Sequence, residues 1–312
     1  MFKKLIFTLG AAMVMVAPAA EMEWMSDMKL AGKKAEAEDK LLLVEFTGSD
    51  WCQYCVLQKK NVLDKPEFTD WAEQHCVAVE IDVPHDASIV GGAEKKEINQ
   101  KLCEEYGISS FPSLMLMSPE GVLIGGYNGA QSTPQAAIAT LEKHFATAQE
   151  FKAAMKKKKT ARAKALKAIY DAQPEGVRKG NFKLMELIAK ADKDNKTGIQ
   201  DQYRPIKQMR NLHAKLSKTT DVEERVAILD ETAAKAYPEN KNSIIKLKES
   251  ELYTAAFRLT KNPSSVDDIC KARDYYIRYA ECSGDQTKVE QIKQYYADPE
   301  KVYQEILQKK KK

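Results

Sequence analysis

The chain has 312 residues, of which 30% are charged, and its formal net charge is only +4 at pH 7. So small a net charge gives no reason to expect a nucleic-acid partner. Six cysteines are too few for a scaffold held together by disulfides, but they suffice for one redox pair with further thiols. The length suggests about two domains.

The first residues have the pattern of an export signal. Lys3 and Lys4 precede an uncharged, mostly apolar run over 5–16, and small residues follow in "APAAE". This order predicts a signal peptide over residues 1–20. An uncleaved anchor is the alternative, but the apolar run is shorter than the roughly 20 residues that span a bilayer. No cysteine lies near the predicted cleavage site, so we expect a periplasmic or secreted protein without a lipid anchor.

Residues 21–150 alternate between strand-like and helix-like patterns. Short apolar runs predict strands at 41–46, 76–83, 113–118 and 122–127, and the turn "PEG" joins the last two. Helices are predicted at about 52–62, 65–75, 94–106 and 133–148. This alternation predicts an α/β sheet with helices on its faces.

Residues 151–312 are predicted to form an all-helical domain. Apolar residues recur at helical spacing, and breaks fall near Pro174, near Gly198 and at 237–242, 262–265 and 283–286. We expect six to eight helices that pack as a bundle or a solenoid, because each apolar stripe needs a partner. The stretch 222–260 resembles one tetratricopeptide repeat, and an ordinary helical hairpin is the alternative.

The stretch "SDWCQYC" (49–55) carries the most specific chemistry. Cys52 and Cys55 follow the first predicted strand and open a predicted helix. A zinc site needs four ligands, and the other cysteines and histidines supply no second close pair. A structural disulfide over so short a loop would stabilise little. The helix N-terminus favours a thiolate, so we predict a redox pair in which Cys52 attacks and Cys55 resolves.

Two segments resemble the thioredoxin-like superfamily. "LLLVEFTGSDWCQYC" (41–55) is similar to the active-site segment of exported bacterial members that carry "FTGSDWCxxC", and "YGISSFPSLMLMSPEGVLIGGYNG" (106–129) is similar to their proline loop. The resemblance covers about residues 24–148 and implies an α/β thioredoxin-like fold, with a central mixed sheet flanked by helices. It implies a cis Phe111–Pro112 peptide beside the disulfide, in a loop that binds substrate. It implies no organic or metal cofactor.

The resemblance also suggests roles for Glu45 and Trp51. Glu45 stands where relatives carry a buried acid, usually Asp, that relays a proton to the resolving cysteine. The alternative is that Glu45 faces solvent, because the apolar run 41–46 does not settle which face it takes. Trp51 is predicted to shield the disulfide and contact substrate, with simple packing as the alternative. The loop before Cys52 is one residue longer than in thioredoxins.

The remaining four cysteines are predicted to have no redox role. Cys76 and Cys103 are predicted to be buried apolar thiols, with a structural 76–103 disulfide as the alternative. On one unbroken helix, Cys270 and Cys282 would be about 18 Å apart. A disulfide needs Cα atoms within about 7 Å, so these two pair only if the chain turns back near 279–285.

These features predict an exported thiol–disulfide oxidoreductase that acts on protein thiols and disulfides with a membrane or soluble redox partner. Tyr54 resembles the tyrosine of the Cys-Gly-Tyr-Cys motif in bacterial disulfide isomerases and favours a reductase or isomerase, while an oxidase stays open. The helical domain is a candidate for homo-oligomer formation. The alternative function is an adaptor, in which the helical domain binds clients or dimerises and the thioredoxin-like domain is mainly a scaffold.

Overall fold

The computed structural model describes residues 22–310, so the predicted signal peptide at 1–20 lies outside the described residues. The chain divides into two compact units, Met1–Thr197 and Gly198–Lys312. Between residues 22 and 310, no helix combines the length and the apolar character needed to cross a bilayer.

A five-stranded mixed sheet forms the centre of the first unit. Its strands are β1 (Trp24–Met25), β2 (Leu41–Thr47), β3 (Cys76–Asp82), β4 (Ser113–Met117) and β5 (Leu123–Asn128), in the order β1-β3-β2-β4-β5. Strand β2 lies parallel to β3 and antiparallel to β4. All seven residues of β2 are buried, which explains why its sequence is almost continuously apolar. The predicted α/β thioredoxin-like fold is confirmed.

Helices cover both faces of this sheet. They are α1 (Met28–Ala37), α2 (Gln53–Gln58) with a π-helical turn at Lys59–Leu63, α3 (Pro66–His75), a 3-10 turn at Ala87–Val90, α4 (Ala93–Tyr106) and α5 (Pro134–Glu142). Helices α1 and α4 pack on the face that carries Leu42, Val44 and Phe46. On the other face, α2 is joined to β5 by a hydrogen bond, α5 contacts β5, and α3 packs against α5.

Most predicted elements of this unit are confirmed to within a few residues. The helix predicted at 133–148 is divided, because α5 ends at Glu142 and α6 (Phe145–Met155) begins three residues later. Strand β1 and helix α1 were not predicted. The buried face of α1 consists of Ala31, Gly32 and Ala35, which give almost no apolar stripe. A Cβ at Gly32 would lie 2.5 Å from the Pro119 carbonyl oxygen, so this close approach requires glycine.

Three helices beyond α6 belong to the same compact unit as the sheet. They are α7 (Lys159–Ala172), α8 (Glu175–Gly180) and α9 (Phe182–Ala191). The buried amide groups of Gln173 and Asn181 both donate to the Leu123 carbonyl oxygen of β5, at 3.0 and 2.7 Å. These bonds cover an edge strand that would otherwise expose unpaired backbone groups. The composition changes near residue 150, where the strand-rich segment ends, and the first compact unit continues to Thr197.

The described part of the second unit is entirely helical. It contains α10 (Ile199–Leu216), α11 (Val222–Ala234), α12 (Pro238–Lys261), α13 (Val266–Cys282), α14 (Gln286–Tyr295) and α15 (Pro299–Lys310). The predicted breaks are all present, but the described chain after residue 158 has nine helices rather than six to eight. Three helix boundaries, at Asn181, 217–221 and 296–298, are not among the predicted breaks. The Asn181 side chain caps α9 by accepting from Leu184 N at 3.3 Å. Helices α11 and α12 form the pair predicted at 222–260, and its likeness to a tetratricopeptide repeat stays a prediction.

Four cysteines are free thiols. Cys76 and Cys103 are buried, as predicted, and burial raises the pKa of Cys76 to about 12 and that of Cys103 to about 11. Cys270 and Cys282 lie on the same unbroken helix α13 and do not pair. The 76–103 disulfide and the 270–282 disulfide are therefore both absent from the structure.

We predict that Asn181→Ala destabilises the first unit by about 2 kcal/mol, because it removes the bond to Leu123 and the cap of α9. All three tryptophans of the chain lie in this unit, so their fluorescence during urea unfolding reports its stability. The exposed Asn61 supplies the matched control, Asn61→Ala, with an expected change within about 0.5 kcal/mol. An equal loss in both variants would contradict this account of the edge of β5.

Candidate active site

Cys52 and Cys55 form a disulfide at the start of helix α2, with their Cα atoms 5.2 Å apart. Cys52 is the N-cap residue, and its Sγ accepts from the backbone N–H of Cys55 at 3.2 Å. Cys52 retains 7% of its surface exposure and Cys55 only 2%. The more accessible cysteine therefore lies at the positive end of the helix, where a thiolate is favoured over a thiol.

Two carboxylates fix the loop before Cys52 to the end of β3 and to the segment that follows it. Ser49 donates to the buried Asp82 carboxylate from its N–H at 3.0 Å and from its Oγ at 2.5 Å. The Asp50 carboxylate accepts from the backbone N–H groups of His85 and Asp86, at 2.8 and 2.9 Å. These backbone bonds, with that from Asp86 the largest, lower the pKa of Asp50 below its ordinary value. Ser49 and Asp50 are thus both held by hydrogen bonds just before Trp51 and Cys52.

Trp51 connects this loop to the proline loop. Its indole N–H donates to the Val83 carbonyl oxygen at 2.9 Å, and its ring stacks on His85 with centroids 5.7 Å apart. The edge of the ring meets Phe111 at a centroid distance of 5.5 Å. A Cβ at Gly48 would overlap the indole, so glycine is required there. Trp51 therefore packs against the segment after β3 and against Phe111, and 41% of its surface remains exposed.

The peptide between Phe111 and Pro112 is cis, as the resemblance implied. Pro112 is buried, and its carbonyl oxygen accepts from Gly129 N at 2.8 Å. Strand β4 begins at the next residue. The contact between Phe111 and Trp51 brings this loop to the loop that carries Cys52. The structure thus brings Phe111 and Pro112 to the same edge of the sheet as Trp51 and the two cysteines.

Glu45 lies below this edge, inside the protein. It retains 3% exposure, so the solvent-facing alternative is wrong. Glu45 is opposite Glu80 of β3 on one side and Leu114 of β4 on the other, and Leu114 is opposite Tyr127 of β5. The Tyr127 hydroxyl accepts from the Gln58 amide of α2 at 2.6 Å. Glu45 therefore belongs to the face of the sheet that α2 covers.

The surroundings of Glu45 favour its protonated form. Burial raises the pKa of Glu45 to about 8, with the neighbouring Glu80 adding to this effect and Lys59 opposing it. The Oε1 atom of Glu45 is buried and has no hydrogen-bond partner. A buried charge without a partner costs free energy, so the carboxyl is mostly protonated at neutral pH.

Several residues of this site were not predicted. Asp82 and Glu80 lie two residues apart on β3, on the same face as Glu45, and their charges interrupt an otherwise apolar strand. These two charged residues in an apolar strand are the feature of the sequence from which their role could have been predicted. The roles of Asp50 and His85 depend on a contact between loops 35 residues apart, which no local pattern reveals. Within residues 22–310, no group of three or more His, Cys, Asp or Glu side chains is placed to hold a metal ion.

Comparison with known proteins agrees with this architecture. Residues 28–145 match the family described as "Thioredoxin-like domain". The chain is 32% identical over 103 residues to "Disulfide bond reductase DsbH" of Chlamydia pneumoniae, and the match covers 33% of this chain and 60% of that protein. It is 31% identical over 97 residues to "Thioredoxin-related protein DsbJ" of the same organism, with coverage of 31% of this chain and 27% of that protein. The matched part is thus less than two thirds of either relative.

Two solved structures are also similar to parts of the chain. "DsbH Oxidoreductase" aligns with a TM-score of 0.38 and 25% identity, covering 47% of this chain and 95% of that one. The oxidised C-terminal domain of Neisseria meningitidis DsbD aligns with a TM-score of 0.28 and 22% identity, covering 38% of this chain and 96% of that one.

The mixed sheet, the position of the disulfide and the family match lead to one assignment. Residues 28–145, in the first unit, form a thioredoxin-like domain. The second unit lies outside the matched residues 28–145.

We predict that Glu45→Gln makes the stability of the oxidised protein less dependent on pH. Below about pH 4.5 the Glu45 carboxyl is protonated in both the folded and the unfolded chain. As pH rises to about 8 the unfolded chain loses this proton first, so folded-state stability falls by roughly 3–5 kcal/mol and then levels off. The glutamine of the variant cannot titrate. The free energy of unfolding of the variant, relative to that of the wild type, should therefore rise between about pH 4.5 and pH 8.

Urea unfolding from pH 4 to pH 9, followed by tryptophan fluorescence, measures this difference. Glu73→Gln, at an exposed position of α3, is the matched control and should follow the wild type. Parallel pH curves for the wild type and Glu45→Gln would rule out a strongly raised pKa at Glu45.

Proposed function

We propose that this protein is an exported, periplasmic thiol–disulfide oxidoreductase that reduces or isomerises disulfides in other proteins. The observation that carries the proposal is the Cys52–Cys55 disulfide at the N-terminus of α2, in a thioredoxin-like domain. The relative named as a disulfide bond reductase supports the reducing direction, through similarity over a third of this chain. The signal-like residues 1–20 support export.

The reaction begins from the reduced pair. The Cys52 thiolate attacks one sulfur of a substrate disulfide, and the other substrate sulfur leaves as a thiolate that takes a proton from water. The thiol of Cys55 then gives its proton to the Glu45 carboxylate, and the Cys55 thiolate attacks Cys52 Sγ. This second step forms the 52–55 disulfide and releases the remaining substrate thiolate. Two electrons pass from the pair to the substrate, so a membrane or soluble dithiol partner has to reduce the pair again.

Substrate binding is assigned to the surface around the disulfide. Phe111 and Pro112 form one wall, and Trp51 stands between them and the segment after β3. Trp51 and Tyr54 expose 41% and 66% of their surfaces beside the cysteines. Exposed aromatic rings with a polar edge suit contact with the backbone and side chains of a protein substrate.

We predict that Cys52→Ser abolishes reduction of insulin disulfides, because no thiolate remains to attack. Cys55→Ser should retain the first step and accumulate a mixed disulfide between Cys52 and the substrate, detectable by mass spectrometry. Cys282→Ser is the matched control and should keep wild-type activity, because Cys282 lies in the second unit. Full activity of Cys52→Ser would exclude this mechanism.

The second unit supports a different candidate function, that of an adaptor. Tyr253 and Phe257 are both exposed on α12 and stack with ring centroids 6.3 Å apart. Such a surface fits client binding or formation of a homo-oligomer. The same Cys52→Ser variant separates the two functions, because partner binding through the second unit would persist in it while disulfide reduction is lost.

A further inference from the structure

Four residues lie in one row across the central sheet, beneath α2. Glu80 of β3 is opposite Glu45 of β2, which is followed along the row by Leu114 of β4 and Tyr127 of β5. Opposed residues on paired strands point to the same face, and the strands lie about 4.8 Å apart. Two carboxyl groups are therefore held side by side under the helix that carries the redox pair.

The two carboxyls differ in their access to solvent. Glu45 is almost completely buried, and its Oε1 has no hydrogen-bond partner. Glu80 is only partly buried. Of the two carboxyls, the one of Glu80 is thus the one with access to water.

The other charged groups around the pair are of both signs. Asp82 of β3 lies two residues from Glu80, and Lys59 approaches from the π-helical turn after α2. The Nζ atom of Lys59 is bound to Asp64 Oδ1 at 2.6 Å, so its charge is shared with a further carboxylate. From β5, the Tyr127 hydroxyl faces the row, and burial, as the largest cause, raises its pKa. Burial also raises the pKa of Glu80, and Asp82 adds to this effect.

We propose that Glu45 and Glu80 act as one acid–base pair in thiol exchange, with Glu80 as the positioning residue that sets the protonation state of Glu45. This inference rests on the proposed function, because the proton concerned is the one that Cys55 releases.

The carboxyl pair holds one proton and one negative charge near neutral pH, as expected when two carboxyls share a site. When the shared proton lies on Glu80, Glu45 is ionised and takes the proton of Cys55. The Cys55 thiolate then attacks Cys52 Sγ, and the carboxyl pair, now carrying two protons, returns one to water through Glu80. No electrons enter or leave the carboxyls, because the two electrons pass from the cysteines to the substrate.

Glu80→Gln tests this inference in two independent measurements. In the first, the oxidised protein is labelled with ¹³C-glutamate, and the Cδ chemical shift of Glu45 is followed from pH 4 to pH 10. Removal of the neighbouring charge should lower the Glu45 midpoint by about one pH unit and replace a two-step titration with a single step. Glu80→Asp retains a carboxyl and should keep the two-step titration.

The second measurement follows the resolving step itself. The reduced protein, with Cys270 and Cys282 changed to Ser, reacts with the aromatic disulfide 5,5′-dithiobis(2-nitrobenzoate). The first thionitrobenzoate reports attack by Cys52, and the second reports its displacement from Cys52 by Cys55. In Glu80→Gln, the pH midpoint of the second release should move in the same direction as the Glu45 titration, while the first release is unchanged.

The controls separate this inference from the proposed function. Glu73→Gln should shift neither midpoint. An unshifted Glu45 midpoint in Glu80→Gln, or an unshifted profile for the second release, overturns the pairing of Glu45 with Glu80. A wild-type protein that releases no second thionitrobenzoate overturns the proposed function instead, and the ¹³C titration still decides whether the two carboxyls are coupled.

Discussion

The complete burial of β2 is the constraint on which the rest of the first unit depends. The register of this strand, which is paired on both edges, matters because a shift of one residue would move Glu45 to the apolar face that carries Leu42, Val44 and Phe46. That register places Glu45 beside Glu80 and under α2. It also fixes where the strand ends, and therefore where the loop delivers Cys52 to the start of the helix. The position of the disulfide and the environment of the buried acid thus have one structural origin.

The acidic side chains near the site have different roles because their surroundings differ. Asp50 and Asp82 accept hydrogen bonds from backbone N–H groups and from Ser49, and so hold the loop before Cys52 in place. Glu45 has no such donor for its Oε1 and is kept mostly protonated by burial. Carboxylates with hydrogen-bond donors are structural anchors, whereas a buried carboxyl with an unpaired oxygen has a raised pKa and can exchange a proton near neutral pH.

Much of this unit could be predicted because its signals are local. The apolar run 41–46, the cysteines at the helix start and the turn between β4 and β5 are each visible within a few residues of sequence. The cis peptide at Pro112 followed only from resemblance to a family. The side on which Glu45 lies could not be predicted, because a run that is apolar on both faces has no alternation. The bonds from Gln173 and Asn181 to Leu123, about 50 residues away, depend on tertiary contacts that leave no pattern in the sequence.

We have proposed that Cys52 and Cys55 form a redox pair that donates electrons to protein disulfides. The reduction potential of this pair tests it most directly, by equilibration with glutathione redox buffers and mass-spectrometric trapping of free thiols. We expect a reducing potential, at or below about −200 mV and approaching the value of about −270 mV for thioredoxin. A potential near about −120 mV, which belongs to a strong oxidant, or a pair that does not exchange with glutathione at all, would contradict it.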